Sequence, residues 1–475
     1  MRRDVKYAKL VPRIRALALA RLAETRLGKK EAKMRTTGHF LRLDRGDFSR
    51  RPGSQFPQEG FWRAGCLLLI AFVALALPTQ AQKRANLARL VVVGDSLSAG
   101  FQNGSLLDSQ QVHGYANLIA QQAETNLPLP LISFPGAPNV LELISPGPPP
   151  NIAPAPGPPG NRENPLVQVF DLAVPGANLH DALFTRPPDP NNPLTTLILG
   201  LPGLLASPPI SLSQVEWAEA LSPTTIVLWI GNNDALGAVL AANPALLTPV
   251  SQFQSDYAAL IDRLAGTGAT LVVANIPDVT VVPFLTSAEK VAEEFGLPLS
   301  FIGPILGIGP GDFVTPTALT LIEEILMGQI AGPLPSSVVL TAAQIALIEA
   351  AVNSYNAIIF AEAQSHGAAL VDIHGILNLI RARGVVENGQ RLTTDFLGGV
   401  FSLDGVHPTN TGYAIVADEF IETLDQTFAA DIPPLSVELV AKSDPLILPS
   451  VGRPASALGH LSAGMAKSLR SALVH

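Results

Sequence analysis

Two short segments, more than 300 residues apart in a chain of 475, hold the groups that hydrolytic chemistry needs. The first is Val91-Val92-Val93-Gly94-Asp95-Ser96-Leu97-Ser98, in which Ser96 stands just beyond an apolar run. A serine hydroxyl becomes a nucleophile when a base lies within hydrogen-bond reach. The second is Ser402-Leu403-Asp404-Gly405-Val406-His407-Pro408, which offers that base. The imidazole of His407 must hold one tautomer so that Nε2 can take the serine proton, and a carboxylate on Nδ1–H supplies that orientation. Asp404 is three residues away, Gly405 permits a tight turn, and Pro408 holds His407 extended, so the pair can be built locally.

Two further segments could stabilise an oxyanion. They are Val174-Pro175-Gly176-Ala177-Asn178 and Ile230-Gly231-Asn232-Asn233-Asp234. A tetrahedral oxyanion needs preorganised N–H donors. Gly176 can point a backbone N–H inward with no side chain in the way, and Asn233 carries an amide N–H. Taken singly each piece has an ordinary reading: Gly-Asp-Ser and Gly176 as turns, Asn233 as a helix cap, His407 as an inert loop residue.

The elements that must position these groups are legible as alternating patterns. Leu90–Val93, Val167–Leu172, Thr225–Ile230, Ala269–Ala274 and Ala368–Asp372 are short runs rich in Val, Ile and Leu. Apolar on both faces, they read as strands buried in a parallel sheet. Between or after them lie helical patterns at Tyr115–Glu124, Gln214–Leu221, Gln252–Ala265, Ala342–Ser365 and Gly412–Leu424. Ser251 is the expected N-cap of the third, with Gly266 and Gly268 to stop it. Such alternation implies βαβ units in an α/β fold, with helices on both sheet faces. In open sheets of this kind ligands bind outside the carboxyl ends of the strands, where Ser96 is expected.

Gly94-Asp95-Ser96, Gly176, Gly231-Asn232-Asn233-Asp234 and Asp404-x-x-His407 occur in the order and context of the SGNH/GDSL hydrolase family, which the chain resembles. The likeness runs on through Pro408-Thr409-Asn410-Thr411-Gly412-Tyr413 and covers about residues 88–430. It implies a three-layer α/β/α, flavodoxin-like sandwich with a central parallel sheet and long loop insertions. It also implies a carboxylic ester hydrolase of the GDSL esterase/lipase type. Ser96 would be the nucleophile, His407 the general base and Asp404 its orienting group. The Ser96 N–H, the Gly176 N–H and the Asn233 side chain would form the oxyanion hole, with no cofactor and no metal. No Gly-x-Ser-x-Gly elbow competes, because Ser96 is the only serine with Gly two residues before it and Ser98 stands two after. Gly307-Ile308-Gly309-Pro310-Gly311-Asp312 fails as a dinucleotide loop, since position six is Asp and no strand precedes it.

Composition sets the remaining bounds. With 47% hydrophobic and 15% charged residues, the chain is no disordered polyelectrolyte, and its single Cys excludes a disulfide scaffold. Residues 1–63 hold 17 basic against 6 acidic residues, leaving 14 basic against 33 acidic for the rest. That acidic balance makes nucleic acid an improbable partner. After the basic extension 1–63, the 14-residue apolar run Ala64–Leu77 is too short to span a bilayer and suits a signal-peptide core. Segment 64–81 is therefore expected to direct export to the periplasm, cell surface or medium, with cleavage after Ala81 and a true start downstream of the first Met. An N-terminal membrane anchor is the alternative.

The hydrolase domain is expected over 82–430, followed by a tail, 431–475. Two insertions interrupt it. Residues 127–165 contain 13 Pro and are expected to run as an extended, partly polyproline surface stretch. Residues 282–335 are apolar but broken by Gly and Pro, and read as a long lid or binding loop. The apolar stretch Phe301–Ile308 favours lipid-like acyl esters and peripheral contact with a lipid surface. Carbohydrate O-acetylesters, lysophospholipids and thioesters are alternatives, and a non-catalytic binding protein on the same fold is the rival from another class.

Overall fold

The computed structural model describes residues 84–145 and 151–447. The basic extension, the signal-peptide-like segment and the last part of the tail lie outside the described residues. Four strands, β1 (Leu90–Gly94), β2 (Thr225–Trp229), β3 (Thr270–Ala274) and β4 (Ala369–Val371), form a sheet in which each neighbour pairs parallel to the next. Residues 170–174 run along the free edge of β1. Val92 N–H donates to Phe170 O at 2.9 Å, Leu172 N–H to Val92 O at 3.0 Å, and Val174 N–H to Gly94 O at 3.1 Å.

The expected strand Val167–Leu172 therefore lies a few residues later and makes one parallel bridge, Val92 with Asp171, rather than a full ladder. Pro175, with no N–H to donate, closes it. In chain order the spatial sequence is 2-1-3-4-5, the flavodoxin-like arrangement, whose switch point lies between β1 and β2.

Alternate side chains of each strand enter different layers. Val91, Val93, Ile226 and Leu228 pack with helices Leu179–Phe184, Gln214–Ala220, Asn233–Leu240, Val250–Gly266 and Ala342–Ser365. Leu90, Val92, Val227 and Trp229 pack with Tyr115–Gln122 and Asn410–Phe428. Burial on both faces explains the unbroken aliphatic runs and makes a three-layer α/β/α sandwich. Capping boxes start three of the described helices: Asn178 with Asp181, Ser213 with Glu216 and Thr341 with Gln344. The helix expected to be capped by Ser251 instead begins at Val250, after an extended Pro249, so Ser251 falls in its first turn.

Both insertions differ from expectation. The Pro-rich stretch is docked, with Leu127, Leu129, Ile132, Val140 and Leu141 buried, and it contains an antiparallel hairpin, Leu141–Ser145 with Asn151–Pro154. Prolines lack donors, so neighbouring amides supply them: Gln111 Nε2 donates to Pro130 O at 3.0 Å and Asn164 Nδ2 to Leu129 O at 2.9 Å. The apolar insertion is no loop. It folds into helices Ala288–Glu294, Leu299–Leu306 and Pro316–Leu326 with a small antiparallel sheet of Thr286–Ser287, Phe313–Val314 and Val339–Leu340. Its own core holds Val291, Ile302, Leu306, Leu319 and Ile322. Pro304 inside the second helix forfeits a single N–H bond, and burial of Ile302 and Leu306 on either side outweighs that loss. The described part of the tail packs as helix Val437–Ser443 against Asn410–Phe428, where Asp444 accepts from both N–H and Oγ1 of Thr411 at 2.8 and 2.7 Å.

Candidate active site

The turn after β1 and the turn before Asn410–Phe428 meet above the sheet. Ser96 Oγ lies 2.8 Å from His407 Nε2, and His407 Nδ1 lies 3.0 Å from Asp404 Oδ2. Asp404 and His407 are fully buried and Ser96 is 3% exposed. Asp404 is saturated with donors. Its Oδ1 accepts from the N–H groups of Val406 and His407, each at 2.8 Å, and its Oδ2 from Gly104 N–H at 2.7 Å. Burial pushes this carboxyl up, but the facing imidazole and the N–H donors of His407 and Val406 outweigh it and hold Asp404 below the usual carboxylate range. The carboxylate thus stays charged where it can orient the imidazole. Gly405 takes φ +72° in the turn between them, as the local construction requires.

The other predicted groups gather at the same rim. Asn233 and Ser96 line one narrow, mostly apolar cavity of about 50 Å³, walled by Val281, Val282, Phe401 and Val406. Asn233 and Gly176 line a second, polar cavity of about 280 Å³. Asn233 Nδ2 donates one hydrogen to Ala177 O at 2.8 Å, which ties the amide to the Gly176 turn and leaves its second hydrogen free. Gly176 has φ +83°, and neither its N–H nor that of Ser96 has a partner among the described residues. Two backbone donors and one amide donor are therefore available beside the serine. The stretch Phe301–Ile308 lines neither cavity: it is helical as far as Leu306, with Ile302, Leu306 and Ile308 in the core of the inserted subdomain.

Several supports were not read from the sequence. Asp95, fully buried, accepts from Asn232 Nδ2 at 2.8 Å and from Leu97 N–H at 3.0 Å, so the serine turn is tied to the Asn233 turn. Burial pushes the Asp95 carboxyl up to about 6, against the pull of those two bonds. Gln214 Oε1 accepts from Gly94 N–H at 3.0 Å. Asn103 clasps the distant loop, donating its N–H to Ser402 Oγ and accepting from Leu403 N–H, each at 3.0 Å. The dipeptide Asn103-Gly104, a turn signal, was the available clue, since Asn103 takes φ +52°. Nothing local marks Gln214, whose partner lies 120 residues away.

A parallel α/β sandwich with serine, histidine and aspartate in hydrogen-bonded series at its switch point is the frame of a serine hydrolase. The family model GDSL-like Lipase/Acylhydrolase matches residues 90–420, and the chain belongs to that family of carboxylic ester hydrolases. Among solved structures, LAE5, an alpha/beta hydrolase enzyme from the metagenome of Lake Arreo, Spain, is similar at 14% identity. That match covers 72% of this chain and 96% of the other, with a TM-score of 0.33. The psychrotrophic esterase EstA from Pseudoalteromonas sp. matches at 11% identity over 71% of this chain and 97% of its own, with a TM-score of 0.31. No curated protein matches by sequence.

Proposed function

We propose that the enzyme cleaves its ester through an acyl-enzyme on Ser96, with Asp404 and His407 as the base pair. His407 Nε2 takes the Ser96 proton as Oγ attacks the carbonyl carbon. Negative charge then gathers on the carbonyl oxygen, which the N–H groups of Ser96 and Gly176 and the Asn233 amide receive. The imidazolium, stabilised by Asp404, returns its proton to the leaving alcohol. Water then enters by the same steps and frees the acid. The observation that carries this reading is the 2.8 Å contact between Ser96 Oγ and His407 Nε2, two side chains that are both buried.

The apolar walls beside Ser96 support an acyl chain of lipid-like character. A p-nitrophenyl ester series checks this: turnover is expected to rise from acetate to longer chains, and a maximum at acetate with no turnover of longer chains overturns it. Phosphonate labelling tests the nucleophile, with an adduct on Ser96 expected and its absence on folded protein fatal to the mechanism. Export is part of the same proposal, supported by the apolar run Ala64–Leu77 with Thr79 and Ala81 as small residues before the expected cut. Sequencing the native protein should find Gln82 first, whereas a peptide from residues 1–40 in it overturns the downstream start.

A further inference from the structure

We propose that the polar cavity beyond Gly176 and Asn233 is a subsite for an uncharged polyhydroxylated part of the ester substrate, a glycerol or a single sugar ring. This rests on the reading of Ser96 as the nucleophile, because the cavity shares Asn233 with the cavity that holds Ser96. A substrate whose carbonyl oxygen meets Asn233 and Gly176 can send one arm between the apolar walls and the other into this second space.

Chemistry of the walls selects the ligand. Gln214 lines the cavity and commits Oε1 to Gly94 N–H, which leaves its Nε2 hydrogens for another acceptor. Asn233 Oδ1, on the same lining, is buried with no hydrogen-bond partner among the described residues, a desolvation cost that a ligand hydroxyl donating to it removes. Asp181 and Asp189 supply acceptor oxygens on the same walls, and the side chain of Asn191 is free to donate or accept. A hydroxyl both gives and accepts a hydrogen bond at one atom, so a surface mixing donors with acceptors suits a polyol.

Two carboxylates with no Lys, Arg or His on the walls exclude phosphate and other anions. Both carboxylates already hold intramolecular donors, Thr185 Oγ1 on Asp181 at 2.7 Å and Asn191 N–H on Asp189 at 2.9 Å, which lessens their hold on a cation. The volume, about 280 Å³, lies just under the ~300–1,000 Å³ of ordinary small-molecule sites and admits one ring rather than an oligomer.

Gly237 provides the means to close the cavity. It lies in the helix Asn233–Leu240 and borders the space, and a Cβ built on it meets nothing within 4 Å. The experiment compares kcat/KM for glyceryl monobutyrate, ethyl butyrate and butyrylcholine on the full enzyme. The glyceryl ester is expected to exceed the ethyl ester at least tenfold, and Gly237→Leu to lower that ratio at least tenfold. Asn191→Ala, on the exposed edge, is expected to lower it severalfold without filling the cavity.

Saturation-transfer NMR with methyl glucoside reads binding without hydrolysis: transfer is expected for the wild type and its loss in Gly237→Leu. A glyceryl-to-ethyl ratio near one with no transfer overturns the subsite, and so does a preference for butyrylcholine. Transfer without hydrolysis of any ester sustains the subsite and removes the nucleophile reading instead.

Discussion

The rim that carries Ser96 and the inserted subdomain from Thr286 to Leu340 are held together by opposite means. At the rim, buried polar groups from distant parts of the chain are hydrogen-bonded to one another: Ser96 with His407, Gly104 with Asp404, Asn103 with Ser402 and Leu403, Asn232 with Asp95. In the subdomain, local helices close on an aliphatic core of their own. A polar network in a dry setting has a narrow set of working geometries, since each lost partner strands another group. An aliphatic core loses contact area by degrees. The rim should therefore answer substitution mainly in rate, and the subdomain mainly in stability.

The largest effect expected is at Ser96, the proposed nucleophile. Ser96→Ala should lower kcat by about 10⁵–10⁶-fold with little change in melting temperature, and adding His407→Ala should cost almost nothing more, because the two act as a unit. Multiplying losses in the double variant would break the idea of a single relay. Asp404→Asn comes next. It replaces an oxygen that accepts from Gly104 or His407 with a donor, and the imidazole loses its orienting charge. A fall of about 10²–10⁴ in kcat is expected. Asn233→Ala should cost about 10²–10³ in kcat if the amide receives the oxyanion. An effect confined to KM would assign Asn233 to ground-state binding instead.

On the other side of the comparison, Leu306→Ala in the subdomain core should cost about 2–5 kcal/mol of stability. Denaturant unfolding measures that cost, while hydrolysis of a short p-nitrophenyl ester at 25 °C should persist. Loss of activity in still-folded protein would show that the subdomain shapes the site directly.

How much of this was legible follows the same division. Strands buried on both faces show as continuous aliphatic runs, so β1 to β4 could be read from those runs and the α/β class from their alternation with helical patterns, while the family resemblance implied the three-layer sandwich. The serine, the Asp-x-x-His pair, the glycine and the asparagine were legible because each chemistry demands one residue type at a fixed spacing. The edge segment 170–174 was misplaced because one bridge on an outer strand leaves little pattern. The subdomain was missed because Gly303, Pro304 and Gly307 look like breaks, whereas burial of Ile302 and Leu306 carries the helix through them and Gly307, at φ +70°, ends it. The polar clasps escaped notice because partners such as Gly94 and Gln214 share no local spacing.

The smallest effect concerns Asp95, and it separates the two roles a rim residue can have. Burial pushes its carboxyl up from the ordinary aspartate range to about 6. The folded protein therefore holds this proton more tightly than the unfolded chain between about pH 4 and 6. Stability from this group is fully present below the unfolded value and is lost as pH rises through the folded one, up to about 3 kcal/mol at neutral pH. Asp95→Asn cannot titrate, so its stability should decline less than that of the wild type between pH 4 and 7. Above pH 7 the variant escapes the cost of a buried charge but gives up one of the two acceptor oxygens that serve Asn232 and Leu97. Stability measured against pH and kcat measured at pH 8 pull these apart. A flatter stability profile together with a several-fold lower kcat marks Asp95 as a positioning residue for the serine turn. An unchanged profile would mean that the carboxyl stays ionised in the folded protein throughout this range, and that the turn is held by charge.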